Sequence, residues 1–496
     1  MGVQAAACWA VILLGPIEAG RWASDQFNYH EPTIRLFAER LPGVDLSDYG
    51  SATTPGYHLV LAGLLAALEP LLGPGREWLM LAGSVFTLGV VGLASRLLIV
   101  RAGVRTGVAL TLPLMASLYV FPAGVWLLPD AAGWLGVLAV LAVALHARSR
   151  ARLLVLGGTL LVPLVLVRQV HLWAAAVVWT AAWLGPERGA DAPGGPGFLG
   201  RPASQIRDLF AQWPARAGWM ALAILSSLPA FAVVGWFVAT WQGLVPPRFQ
   251  GAYHGANPAT PALTLSVAGL LTPAVLPFAW PGLKRLWCGA PGLLVGIAAA
   301  GLVAAVVPET TFDPEAGRIS GIWTIAARLP ELGGRTSPVV VLLAPVGALA
   351  VGGLLAGLDT RSGWVLAGAL LAFVAAQSAT HEAWQRYHEP FLLLWMALAA
   401  ATGVRVRRER PSAASLAFPL AVAAAMGLAT GLRIASEDRL PRLEPDALER
   451  ALDADPLDGR PPAPAKRRGS EPAATVPAPG QAPASAPPGP TLDGSG

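Results

Sequence analysis

Charge is what this sequence has least of. Asp, Glu, Lys and Arg make up 13% of its 496 residues, and lysine occurs only at Lys284 and Lys466. Cysteine is scarcer still, with Cys8 inside the first apolar block and Cys288 in what reads as a loop, which leaves no basis for a disulfide framework or a thiolate metal cluster. Walker loops, a GxGxxG behind a strand and HExxH are missing, so a nucleotide-driven pump and a zinc protease have no support. What the chain has in abundance is apolar: 54% hydrophobic residues and a mean hydropathy of +0.54 exceed what a soluble core can bury. The bilayer must be its solvent.

Apolar blocks recur at residues 3–19, 56–72, 79–100, 107–128, 130–146, 153–167, 170–184, 217–241, 261–280, 291–307, 338–357, 364–380, 388–404 and 413–432. Most are long enough to cross a hydrocarbon core of roughly 30 Å as helices. The first lacks the basic flank of a signal peptide and counts as a span. After Ser436 the composition turns to Pro, Ala, Gly and charge, so residues 437–496 are expected to form a disordered tail behind a membrane domain of residues 1–436.

The net charge of +5 does not point to nucleic acid, because the arginines sit in short loops between apolar blocks. Arg101 and Arg105, Arg148 to Arg152, Lys284 and Arg285, and Arg405 to Arg410 mark the cytoplasmic side. Counting outward places Asp130, Arg168 to His171, the loop around His254, residues 308–337 and His381 to His388 on the external side. Two spans between the first external loop and Arg101 break the count. One block within residues 56–100 is therefore expected to be re-entrant or not a true span, leaving about 13 crossings. Six of the seven histidines, His30, His58, His171, His254, His381 and His388, then fall at the external face, and His146 at the other. A purely structural bundle has no reason to sort them so.

The first external loop reads Asp25-Gln26-Phe27-Asn28-Tyr29-His30-Glu31-Pro32, runs into an amphipathic stretch from Thr33 to Arg40, and ends in Thr53-Thr54-Pro55-Gly56-Tyr57-His58. An acid at the lip of a span beside a surface-lying helix can meet a lipid head group and a water-soluble acceptor, as a general base must. Asp25 and Glu31 could equally cap and solubilise the loop. Asp130, behind Pro129, should face a polar cavity or cap the following helix. Arg168-Gln169-Val170-His171 interrupts a long apolar run; as the junction of two short helices it could offer a phosphate an arginine fork. His381-Glu382-Ala383-Trp384-Gln385-Arg386-Tyr387-His388-Glu389 is the densest polar cluster before the tail.

In this order and spacing the clusters resemble GT-C glycosyltransferases, and more closely the dolichyl-phosphate-glucose-dependent α-1,2-glucosyltransferase family. Asp25 with Tyr29-His30-Glu31-Pro32 resembles that family's acidic Asp-Glu and Phe-His-x-Pro, and Thr53-Thr54-Pro55-Gly56-Tyr57 its Thr-Thr-x-Pro-Gly-x-Tyr. Pro129-Asp130-Ala131-Ala132-Gly133 stands where the family has Tyr-Thr-Asp/Glu-Ala-Gly. Arg168-Gln169 with Trp173, Gln242-Gly243-Leu244-Val245 with His254, Arg318 with Trp323, and Gln385-Arg386-Tyr387 follow in the same sequence. The likeness spans roughly residues 1–404. Gln26 replaces the family's second acid, leaving Asp25 alone, and Pro246-Pro247-Arg248 replaces its Gly-Asp-Arg/Lys segment.

The resemblance implies an all-α polytopic enzyme that takes a sugar from a polyprenyl-phosphate donor and passes it, with inversion, to the hydroxyl of a glycan or lipid-linked acceptor. It implies neither a metal nor another cofactor. Asp25 would be the base aided by His30, and Arg168, Arg318 and Arg386 would hold the donor phosphate. Gln169, His171, Asp130, His254, Glu382 and Tyr387 would complete the site. The Arg- and Ala-rich composition fits a GC-rich bacterium, whose inner membrane would house the protein. A transporter or flippase of a lipid-linked saccharide is the alternative; it should show internal repeats and charges at mid-span, and neither is evident.

Overall fold

Backbone groups in lipid have no water to bond, so each apolar block must satisfy its own N–H and C=O groups as a helix. The computed structural model describes residues 1–14, 21–73, 75–186, 198–199, 207, 210, 213–251, 255–408 and 410–437. The expected disordered tail beyond Glu437 and His254 lie outside the described residues. Among those residues there is no strand, only isolated bridges such as Asp313 with Arg318.

The helices run α1 (Gly2–Leu14), α2 (Arg21–Asp25), α3 (Glu31–Arg40), α4 (Gly56–Leu72), α5 (Arg76–Ala102), α6 (Val104–Ala116), α7 (Asp130–His146), α8 (Arg150–Val167) and α9 (Ala175–Leu184). They continue with α10 (Trp213–Trp241), α11 (Pro247–Gln250), α12 (Thr260–Gly289), α13 (Pro291–Val306), α14 (Ile322–Ala326), α15 (Pro338–Ala356), α16 (Thr360–Ser378), α17 (Gln385–Arg407) and α18 (Ala413–Glu437). Seven of them, α5, α8, α10, α12, α15, α17 and α18, are long and apolar enough to cross a membrane, which fits a multi-pass membrane protein.

Burial sorts these helices. The most apolar stretch of α17 is 89% buried and that of α18 is 11% buried, so α17 is a central helix and α18 a peripheral one. Helices α12 and α15 lie against each other at glycines: a Cβ on Gly269 would strike the Leu343 carbonyl, and one on Gly347 the Leu265 carbonyl. Such small-residue contacts hold helices together where lipid supplies no hydrophobic drive.

Several details depart from the sequence reading. The block at 107–128 is helical only to Ala116; Ser117 then turns the chain through Pro122 and Pro129, which cannot continue a helix. Blocks 56–72 and 79–100 are the helices α4 and α5, of which α5 is among the seven long enough to cross and α4 is shorter. Cys288 belongs to the last turn of α12, not to a loop. Several arginines also close helix ends: Arg361 donates to the Ala144 and Gly185 carbonyls, Arg285 to Ala356, and Arg150 to Ala182. Carbonyls in the last turn of a helix and at its C-cap lack intrahelical partners. His146, set apart by the sequence, sits with Arg101.

Candidate active site

Four segments distant in sequence meet through two arginines. Helix α2 ends at Asp25 and passes through a π turn over Gln26–His30 into α3. Such turns are rare and recur at functional sites. Asp130 is the first residue of α7, where a negative charge suits the positive end of the helix dipole. Its side chain caps nothing. It reaches out to Arg168, the extended residue that closes α8 before the turn Gln169–Ala174 leads into α9. The expected junction of two helices at Arg168 is therefore present. Arg386 is the second residue of α17, a poor place for a cation by the same dipole argument.

Arg386 is compensated by two acids: Nη1 donates to Asp25 Oδ2 at 2.6 Å and Nη2 to Asp130 Oδ2 at 2.9 Å. Arg168 donates to the other Asp130 oxygen. Two carboxylates and two guanidiniums thus form a formally neutral chain, Asp25–Arg386–Asp130–Arg168. Aromatic rings cover the cations: Tyr387 lies 4.9 Å from the Arg168 guanidinium and 5.9 Å from that of Arg386, and Trp22 lies 5.1 Å from Arg386. Trp384 stacks on Tyr387. The chain is asymmetric. The Asp130 side chain is 5% exposed and doubly held, whereas that of Asp25 is 24% exposed and has one arginine. Arg386 Nε, also buried, has no protein hydrogen-bond partner.

Tyr29 stands near Asp25; burial, and then the Asp25 carboxylate, hold its phenol above the ordinary value. His30 is close to the chain without joining it. Its Nδ1 lies 3.0 Å from His58 Nε2, and burial, followed by the charge of Arg386, pushes its pKa down to about 3, so the imidazole is neutral at pH 7. His171 is buried against Trp134 and Arg168, where Gly133 leaves it room, and neither ring nitrogen has a protein partner. Glu382 lies within electrostatic reach of Tyr387.

Other residues singled out by the sequence have partners of their own. Gln169 is a strut, accepting from Thr54 N–H and donating to the Ala52 and Leu244 carbonyls. Arg318 is held in its own loop by the Thr311 carbonyl, Asp313 and Glu309. Glu31 is a hub for Arg35, Arg76 and Gln26. Gln26, fully buried, also accepts from Leu127 N–H, tying the first loop to the segment that delivers Asp130. An acid at position 26 would put a second negative charge against Glu31. Trp22 was missed, since an aromatic at a span end ordinarily reads as a belt residue.

Among the described residues no group of three His, Cys, Asp or Glu is placed to hold a metal ion. Comparison with known proteins finds no matching family model, characterised protein or solved structure.

Proposed function

We propose that the chain is a GT-C-like membrane glycosyltransferase that moves a sugar from a polyprenyl-phosphate donor to an acceptor hydroxyl at the external face of a bacterial inner membrane. The membrane domain would make about 13 crossings. The observation that carries this reading is the Asp25–Arg386–Asp130–Arg168 chain, built from the segments that resemble the family. It combines what such a transfer needs: one acid with solvent access and two fixed cations in a shielded site.

In this reading the acceptor hydroxyl gives its proton to Asp25 as its oxygen bonds to the anomeric carbon. The bond from that carbon to the phosphate oxygen breaks, and Arg168 and Arg386 stabilise the departing phosphate, which carries one more negative charge than before. Asp130 holds both guanidiniums in place. His30, neutral and in hydrogen-bond contact with His58, would aid Asp25 as the base. Arg318 fixes the 308–337 loop.

The test is transfer by purified cell membranes with and without the protein, which retain endogenous acceptors, offered radiolabelled polyprenyl-phosphate sugars. A new labelled glycoside that requires the protein is the expected result. Passage of the intact labelled lipid across the bilayer, with no new glycosidic bond, would favour the flippase instead.

A further inference from the structure

We infer that Glu389 is a positioning residue for donor binding: with Ser117 and Gln385 it fixes the turn that carries Arg386 against the segment that delivers Asp130. This rests on the transferase reading above and adds to it a residue that touches neither substrate.

Glu389 is buried in α17, about one helical turn beyond Arg386. One carboxylate oxygen accepts from Ser117 Oγ at 2.7 Å, and the other from Gln385 Nε2, also at 2.7 Å. Both donors are neutral, and among the described residues Glu389 makes no ion pair. A buried acid without a cation is costly, and an apolar side chain of similar size would serve packing better. What the acid adds is register, because its two bonds tie α17 to other segments.

Ser117 stands where α6 gives way to the turns that lead to Asp130, and its oxygen also accepts from the Tyr119 and Val120 N–H groups, so it is itself fixed. The Ser117–Glu389 bond and the Asp130–Arg386 ion pair therefore join the same two segments. On the other side, Gln385 Oε1 accepts from Ile322 N–H at the start of α14, a donor with no partner inside its own helix. Gly321 makes that approach possible: its φ is +64°, and a Cβ there would strike the Gln385 side chain. Trp323 Nε1 donates to the Ala383 carbonyl, and Ala383 N–H donates to the Gly317 carbonyl. The 308–337 loop thus reaches the site through the first turn of α17, while its own Arg318 stays with Asp313. A shift of about 1 Å in a binding group can cost roughly 100-fold, so a residue that holds Arg386 in register matters without touching the ligand.

The test is equilibrium binding of a polyprenyl phosphate to the full-length protein in nanodiscs, with thermal stability measured on each variant. Glu389→Leu, which fills similar space without the two bonds, should bind at least about tenfold more weakly than the wild type. Glu389→Gln keeps an acceptor for the Gln385 amide and a polar group for Ser117, and should stay within about threefold of the wild type. Because the effect runs through Arg386, Glu389→Leu should cost nothing further once Arg386→Gln has been made and Arg168 alone supplies the cation. Ser117→Ala, which deletes one hydroxyl, should weaken binding about threefold and serves if Glu389→Leu does not fold. Unchanged affinity in folded Glu389→Leu or in Ser117→Ala, a loss in Glu389→Gln as large as in Glu389→Leu, or an equal loss with and without Arg386 would overturn the positioning role. Transfer by the wild type would then still stand as separate support for the enzyme. A wild type that neither binds polyprenyl phosphate nor transfers sugar would overturn both.

Discussion

Asp25 and Asp130 are the same chemical group in different circumstances, and their substitutions should fail differently. Removing one partner of a buried ion pair costs about 3–5 kcal/mol, because the other charge is left stranded. Asp130→Ala strands Arg168 and weakens Arg386, so it should lower thermal stability in detergent by that amount. Asp25→Asn keeps size and an acceptor for Arg386 at a more exposed site; it should fold normally and lose about 100- to 10,000-fold in single-turnover rate. Near-normal turnover in Asp25→Asn would remove it as the base. His30 supplies a pH test. Its folded pKa, depressed to about 3, lies below the unfolded value of 6.5, so the unfolded chain takes up a proton that the folded one refuses as pH falls through that interval. Stability should therefore be full above pH 6.5 and reduced by about 2 kcal/mol at pH 5. His30→Asn should make that part of the stability profile less steep, and an unaltered slope would assign it to other groups.

At the scale of elements, the site depends on how closely α7 approaches the turn after α8. A Cβ on Gly133 would stand 2.7 Å from His171 Nε2 and 3.4 Å from Arg168 Cδ. In a helix interior Gly→Ala normally gains roughly 1 kcal/mol. Here the imidazole is wedged against Trp134 and cannot swing away, so overpacking of about 1–3 kcal/mol should win. Gly133→Ala is expected to lower the unfolding temperature and, by shifting Arg168, to weaken polyprenyl-phosphate binding. A stabilised variant with unchanged binding would show that His171 and Arg168 have room to move. The π turn at Gln26–His30 acts at the same scale, setting Asp25 toward Arg386 while Gln26, His30 and Glu31 turn inward.

For the whole molecule the open quantity is which helix ends share a side. The positive-inside count puts the 308–337 loop and the first loop outside, and the α12–α13 and α17–α18 connections inside. Gly317 and Ala383 are poor reporters, since Gly317 has φ +70° with the His381 carbonyl behind it and Ala383 is fully buried. Ser47 and Glu315 are exposed, as is Ser412 on the opposite count. With Cys288, itself exposed, replaced by serine, Ser47→Cys and Glu315→Cys should react with an impermeant maleimide in intact cells, and Ser412→Cys only after permeabilisation. Reversal of that pattern would put the ion-pair chain on the cytoplasmic side and exclude an external transfer.

The sequence by itself determined most of the helices, because block length and apolarity act locally and the bilayer leaves the backbone no alternative. It also located the polar segments that would matter, since charges next to apolar runs are expensive enough to stand out: Asp25, Asp130, Arg168 and Arg386 were all visible as such. Their pairing was not. Asp25 and Arg386 are 361 residues apart, and no periodicity records which helix ends will meet. Only packing decided that Arg386 bridges Asp25 and Asp130, that Asp130 serves two arginines rather than capping α7, that Gln169 and Gln26 are struts, and that Arg318 stays with Asp313. A buried charge must find a partner, but tertiary structure chooses which one, because the choice depends on distances that arise only when the helices have assembled.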